Sequence, residues 1–396
     1  MFIFLSVMLT ACALFLLVAT LVFFVEVAAG CLLPSQEIEM TAAKCDRRVA
    51  VLIPAHNESA VIKPTIDDVK RQLRPGDRLL IVADNCNDET ASIATASGAE
   101  VLVREDQTRI GKGYALDWGI KHLAAEPPNI VIVIDADCRV SEGSIEKLSQ
   151  ACAASGHPVQ ALYLMGAVAG SSVNHQVALF AWRVKNLVRP LGLHKLRLPC
   201  QLMGTGMAFP WKVIQSANLS NGFIVEDMKL GLELAAQGRA PRFCPSAIIT
   251  SSFPTSVKGS RTQRQRWEHG HISLILSAAP NLIYAAIKRR DIKLFATALD
   301  LSVPPLSLLI SVLTAAVVGT AIAAITGLSA MPFFLIATCL ALVAAAVLLA
   351  WIKYGRDVLP LRDLVLIVPY LTKKLSLYFD IATGRRVLSW IRTDRG

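Results

Sequence analysis

The sequence predicts an α/β domain built on a mainly parallel sheet and set between membrane-crossing helices at both ends. Three observations carry this expectation. Between residues 49 and 135, runs of apolar residues alternate with helical stretches, the pattern of a parallel sheet with helices on both faces. Residues 1–33 hold a single charge, Glu26, and residues 301–352 hold none. Between those apolar ends lie about 250 residues of ordinary mixed composition, enough for one large core.

The first element is the uncharged run Phe2–Val25, long enough to span a bilayer. It lacks the basic n-region of a signal peptide and is too long for its apolar core, so an uncleaved anchor is expected. The second run breaks at Gly327–Met331, giving spans at about 303–326 and 332–352. Lys44, Arg47 and Arg48 follow the first span, Lys288, Arg289, Arg290 and Lys293 precede the second, and Lys353 and Arg356 follow the third. The positive-inside rule then puts the N-terminus outside and the central domain in the cytoplasm, at the inner membrane. The expected organisation is an anchor at 1–33, a cytoplasmic domain at 45–280, a two-span region at 281–352 and a basic amphipathic tail, cytoplasmic or interfacial, at 353–396. The high mean hydropathy of +0.49 follows from the spans, and the sharpest clusters behind the net charge of +10 flank them. Anionic lipid head groups are the partner this implies. No basic stripe with interleaved aromatics points to nucleic acid. The nine cysteines are scattered without a C-x-x-C pair, as expected of reduced thiols. His269 and His271 are the only close histidine pair, and i, i+2 positions do not share a helix face.

Four strands are expected at Val49–Ala55, Arg78–Asp84, Glu100–Arg104 and Asn129–Asp135, with helices at about 58–73, 88–97 and 111–124. In such sheets ligands bind outside the carboxyl ends of the strands. The first strand runs out in "PAHNE" (Pro54 to Glu58), the second in "ADNCNDET" (Ala83 to Thr90), and the fourth in Asp135 and Asp137. An isolated D-x-D is compatible with a solvated turn. It is equally compatible with a divalent cation, because residues i and i+2 of an extended chain point to one side and two carboxylates there repel each other unless a cation intervenes. Acidic groups at three strand ends favour the cation. Mg²⁺ and Mn²⁺ are the hard cations that such oxygen ligands share with substrate phosphates.

Lys112, between two glycines at a helix start, suits a phosphate, although G-x-x-x-x-G-K is absent. "LMGTGMAF" (Leu202 to Phe209) reads as strand or loop. "FIVEDMKLGLELAAQG" (Phe223 to Gly238) reads as a helix opening with Glu226 and Asp227 and stopping at Gly238. Acids in a first turn also simply suit the helix dipole. "QRQRWEHG" (Gln263 to Gly270) follows.

Taken in order, these motifs resemble the membrane-embedded family 2 glycosyltransferases of GT-A fold, a group that includes cellulose, chitin and hyaluronan synthases and bacterial exopolysaccharide transferases. The resemblance covers about residues 48–275. It rests on Asp84 after the second strand, the Asp135–Asp137 pair, Glu226–Asp227 at a helix start, and Gln263, Arg266 and Trp267 as Q-x-x-R-W. One departure is Val225, where many members carry Thr. The resemblance implies that Pro54, Ala55, Asn57, Glu58 and Asp84 hold the uracil and ribose of a UDP-sugar, with Lys112 and Asp135 on the donor. Asp137 and Asp135 would hold Mg²⁺ or Mn²⁺. Asp227 would be the general base of an inverting transfer, while Glu226, Gln263, Arg266 and Trp267 would lie beside the acceptor and diphosphate.

Two other classes fit less well. A phosphatase of the haloacid dehalogenase type usually carries its D-x-D on the first strand, with Thr or Val where Arg139 stands here. A non-catalytic nucleotide-binding partner would not need Asp137, Asp227 and Arg266 intact. The acceptor divides two further readings. Q-x-x-R-W favours extension of a polysaccharide. Three spans favour a single addition to a membrane lipid, because a channel would need a second copy or other membrane components.

Overall fold

The computed structural model describes residues 2–34, 47–166, 173–220, 223, 225–253 and 257–366. These fall into two compact units. One holds the apolar helices, from 2–34, 173–197 and 271–366; the other holds the sheet, from 47–166, 198–253 and 257–270 within the described residues. Residues 173–197, which the sequence placed inside the domain expected at 45–280, therefore group with the apolar helices.

In the helical unit, α1 (Phe2–Leu32) contains the expected first span and runs past Glu26. In the sheet unit, an eight-stranded sheet has the order β3-β2-β1-β4-β7-β6-β8-β5. Its strands are β1 (Val49–Ala55), β2 (Arg78–Asp84), β3 (Glu100–Arg104), β4 (Ile130–Val133), β5 (Arg139–Val140), β6 (Val159–Met165), β7 (Met207–Pro210) and β8 (Arg242–Ser251). The four strands read from the sequence are all present and pair in parallel through β1–β2, β2–β3 and β1–β4. The second half is mixed: β4–β7, β6–β7 and β5–β8 are antiparallel, while β6–β8 is parallel.

Helices α2 (Ile62–Lys70), α3 (Thr90–Ala96), α4 (Lys112–Leu123) and α5 (Ser144–Ser155) connect these strands. Their apolar residues recur at helical spacing. Ile62, Ile66 and Val69 are fully buried on α2; Leu116, Ile120 and Leu123 of α4 pack on Leu52, Leu80 and Val131 of the sheet. Each such side chain contributes about 1.5–3 kcal/mol by leaving water. β1 has no polar face because a parallel strand is covered on both sides.

The helical unit contains α6 (Val173–Arg183), a π-turn at Val184–Val188 and α7 (Arg189–Lys195). In the sheet unit, α8 (Trp211–Ile214) and α9 (Glu226–Ala236) follow β7. The division between units falls within α10 (Val257–Ser277), which leads to α11 (Ala279–Arg289) and α12 (Ile292–Ser302). The two other expected spans are α13 (Leu306–Ile325) and α14 (Met331–Tyr354), separated at the predicted break. Among the described residues three helices, α1, α13 and α14, are long and apolar enough to cross a membrane, and Gln265–Ser277 with Ala279–Arg289 passes the same test only as a bent pair. Of the tail, a 3₁₀ turn covers Leu361–Leu366, and residues 367–396, like Lys44, lie outside the described residues.

Glu26, the one charge of the first apolar run, is 2 % exposed. Its Oε2 accepts from Arg189 Nε at 2.5 Å, and Arg189 Nη2 donates to Asp300 Oδ1 at 2.6 Å. A buried carboxylate without such a partner costs several kcal/mol. Arg189 thus gives this acid a partner within the helical unit.

Candidate active site

The strand order reverses beside β1: β2 and β3 extend to one side, β4 to the other. Ligand-binding crevices form outside the carboxyl ends of strands at such a switch point. The loop after β1 and the loop after β4 flank that crevice, and they carry the residues singled out from sequence.

Pro54 and Ala55 end β1. The following loop is tied to the loop after β2: Asn57 Oδ1 accepts from Asn87 N at 2.8 Å, Glu58 N donates to Thr90 Oγ1 at 2.8 Å, and Ser59 N donates to Asp88 Oδ2 at 3.1 Å. Desolvation opposes ionisation of Asp88, yet the hydrogen bonds from Thr90 and Ser59 hold its carboxyl down at about 2. His56 Nδ1 lies 2.7 Å from Asp84 O. Asp84 ends β2, 5 % exposed, with Oδ1 accepting from Arg104 Nη1 at 2.5 Å.

The aspartate pair departs from the extended geometry assumed from sequence. β4 ends at Val133, and residues 135–138 make a turn closed by Cys138 N donating to Asp135 O at 3.2 Å. Two α2 side chains fix this turn. Buried Thr65 Oγ1 donates towards Ala136 O and Cys138 O at 2.8 and 2.7 Å, and Asp68 accepts from Arg139 Nε and Nη2 at 2.6 and 2.9 Å. Desolvation of Asp68 is outweighed by the Arg139 hydrogen bonds, so its carboxyl stays below the usual range. Asp135 N donates to Thr205 Oγ1 at 3.0 Å, and Asp137 Oδ2 accepts from Ser251 Oγ at 2.9 Å. Thr65, Asp68, Thr205 and Ser251 were not singled out from sequence. Of these only Thr205 stood in a stretch with any signal, the "GTG" before β7.

Lys112, the first residue of α4, joins the two halves of the site. Its Nζ lies 2.5 Å from Asp135 Oδ1 and 2.6 Å from Gly204 O. Burial alone would lower its pKa; the charges of Asp135, Glu226 and Asp227 outweigh that and raise it. Gly204, at φ +91°, sits so close to the helix start that a Cβ there would lie 3.3 Å from Asp227 Oδ2. Burial, reinforced by the neighbouring Asp227 charge, pushes the Glu226 carboxyl up to about 7, against Lys112 and Arg266. Lys112, Glu226 and Asp227 line a small cleft together with Leu116, Met207 and Leu230.

Gln263, Arg266 and Trp267 lie on α10. The structure brings Arg266 into electrostatic reach of Glu226. Gln263 Oε1 is buried and accepts no hydrogen bond among the described residues, and Trp267 is half-buried. The departure at Val225 has a packing account: a Cβ on Gly270 would lie 2.5 Å from Val225 Cγ1, so the γ-methyls at this position close onto the backbone of α10.

A divalent cation is tested by this donor set. No group of three or more His, Cys, Asp or Glu converges among the described residues. Asp135 and Asp137 supply carboxylate oxygens alone, which fits a hard cation that takes one or two carboxylates and completes its shell with substrate phosphates and water.

Comparison with known proteins agrees with the fold. The family described as "Glycosyltransferase like family 2" matches residues 46–270. The chain is 25% identical over 263 residues to a probable glycosyltransferase, YdaM, of Bacillus subtilis, covering 63% of this chain and 61% of that protein. It is 41% identical over 106 residues to glucosyl-3-phosphoglycerate synthase of Mycobacterium tuberculosis, covering 25% of this chain and 32% of that protein. The chain thus spans less than two thirds of either relative's length. Among solved structures, the mannosyltransferase PcManGT from Pyrobaculum calidifontis, in complex with GDP-Man and Mn²⁺, superposes with a TM-score of 0.56 at 18% identity, over 89% of this chain and 98% of that one. That likeness speaks for the fold. The α/β domain, with acidic residues at its switch point, is of the GT-A class. The chain belongs to glycosyltransferase family 2.

Proposed function

We propose that the chain transfers a sugar from a UDP-sugar, with inversion and with Mg²⁺ or Mn²⁺, to a growing polysaccharide or lipid-linked glycan at the cytoplasmic face of the membrane. The observation that carries this reading is the reach of one ammonium, Lys112, to three carboxylates from two parts of the chain: Asp135 after β4 by contact, and Glu226 and Asp227 of α9 through their charge. An acidic cluster held around a phosphate-type lysine suits a diphosphate donor beside a hydroxyl acceptor.

In this reading the 54–58 loop and Asp84 hold the base and ribose. Asp137 and Asp135 would hold the cation, which when bound would neutralise the diphosphate as it leaves as UDP. Lys112 supports the diphosphate from the N-terminus of α4. Asp227 takes the proton of the attacking acceptor hydroxyl, an ordinary carboxylate serving as base because the proton moves as the bond forms in a positioned complex. Burial and the neighbouring Asp227 charge hold the Glu226 carboxyl up at about 7, so it is only partly ionised at neutral pH. Arg266 offers planar donors to phosphate, and Trp267 a flat face for a sugar ring. The apolar helices α1, α13 and α14 would anchor the catalytic domain, with the N-terminus outside. That three such helices lie among the described residues supports a second reading, one addition to a membrane lipid.

The test is incubation of detergent-purified chain with a panel of UDP-sugars, GDP-sugars and acceptors, reading nucleotide release and product size. Release of UDP with a labelled glycan or glycolipid is expected. No nucleotide release from any donor, with metal present, would reject a transferase role.

A further inference from the structure

Asp84 is not a freely turning carboxylate. Among the described residues its Oδ1 accepts from Arg104 Nη1 at 2.5 Å and from Asn85 Nδ2 at 3.2 Å, and its Oδ2 accepts from none. The pairing is built into the sheet, because Asp84 and Arg104 are register partners at the ends of β2 and β3. Arg104 is only 6 % exposed. It spends its other donors on the next loop: Nη2 donates to Asp106 Oδ2 at 3.1 Å and to Arg109 O at 2.8 Å, and its Cζ lies 5.8 Å from the Tyr114 ring centre. Asn85, held at φ +52°, closes the same network, with Oδ1 accepting from Asp106 N at 2.8 Å.

Resting on the donor reading above, we infer that Arg104 is the positioning residue that sets which nucleobase the donor site accepts. A planar guanidinium fixes a carboxylate in orientation as well as in charge. With Oδ1 consumed, Asp84 offers the base one acceptor oxygen in a set direction. An ionised carboxylate accepts and never donates. A base must therefore present an N–H there, as the imide N3–H of uracil or the N1–H of guanine does. Cytosine presents the bare N3 lone pair instead and is repelled. The same guanidinium holds the 105–111 loop, which leads directly into Lys112, so base and phosphate recognition hang on one side chain. Burial pushes the Asp84 carboxyl above its usual range, and the Arg104 contact works against that rise. A neutral residue at 104 therefore also favours a protonated Asp84, which could donate to cytosine.

The experiment measures binding of UDP, GDP and CDP to the full chain in detergent, with Mn²⁺, for wild type, Arg104→Met and Arg104→Lys. Wild type is expected to bind UDP or GDP, and the stronger of the two identifies the base, at least about tenfold tighter than CDP. Arg104→Met should weaken that preferred nucleotide about tenfold or more and bring its ratio to CDP down towards one. Arg104→Lys keeps a cation but not the fork, and should lose about threefold or more of the ratio; it carries the test if the Met variant loses its fold. An unchanged ratio in the folded variants, even with weaker binding of every nucleotide, overturns the inference alone, since general damage to the fold does not alter base preference. A wild-type chain that binds no nucleoside diphosphate overturns the donor reading itself.

Discussion

The ammonium of Lys112 lies 2.5 Å from Oδ1 of Asp135, one residue opening α4 and the other following β4, the next element in the chain. It is also 2.6 Å from Gly204 O, beside the acids of α9. Removing it leaves several carboxylates facing each other. Lys112→Met should lower donor turnover about 100-fold, and Lys112→Arg should recover part of it. Initial rates across a donor titration check this; unchanged rates in the Met variant would remove Lys112 from the site.

Asp137→Asn should remove most activity, at least about 100-fold, with no rescue by added Mg²⁺ or Mn²⁺. The Ser251 hydroxyl that now donates to Oδ2 can still pair with an amide oxygen, so the fold should hold. Wild-type enzyme should stop when a chelator is added and restart on Mn²⁺ addition. Near-normal turnover in chelator would sink the metal role.

Asp227→Asn should keep UDP binding and lose transfer by about 10²–10⁴-fold, the usual contribution of a positioned base. Calorimetric binding beside a transfer assay separates the two. Equal losses in both would make Asp227 a donor-binding residue.

Glu226 gives a prediction about pH. Its carboxyl rises from 4.5 to about 7 on folding. Between those values the folded chain binds more protons than the unfolded chain, so stability falls as pH rises through this window and levels off above it. The full penalty is about 3 kcal/mol. Glu226→Gln mimics the protonated group and should flatten the dependence. Thermal unfolding of both proteins from pH 4.5 to 8 tests it; parallel curves would mean that Glu226 ionises normally in the fold.

Trp267→Ala should lower transfer about tenfold or more while hydrolysis of the donor by water survives at a larger fraction, if an acceptor sugar stacks on the ring. A proportional fall in both rates on stable protein would assign the ring to core or interface packing.

Much of the fold was legible because the signals were local. Apolar runs marked β1 to β4 and the three long helices, and turn residues marked their ends. Where several chain segments meet, legibility fell. The mixed half of the sheet depends on pairing choices that alternation in one strand does not reveal, so β7 was readable only as strand or loop, and β6 and β8 were not singled out. Residues 173–197 have the mixed composition of a soluble domain, yet Val184, Val188 and Phe180 pack with the apolar helices.

At the site, residue types and order were readable from the chain: two aspartates after a strand, an acid pair at a helix start, a lysine between glycines. Their state was not. Asp135 and Asp137 sit on a turn whose shape is imposed by Thr65 and Asp68, about 70 residues earlier. Glu226 and Asp227 look alike as letters, and burial together with a neighbouring charge sends Glu226 to about 7. Arg104 was the unremarked last residue of a strand until the sheet register set it against Asp84. Glu26 was an isolated charge in an apolar run until Arg189, 163 residues on, reached it. Periodicity and hydropathy act over neighbouring residues and so are written along the chain. Desolvation and ion pairing depend on which distant groups share a small volume, and folding is what brings them there.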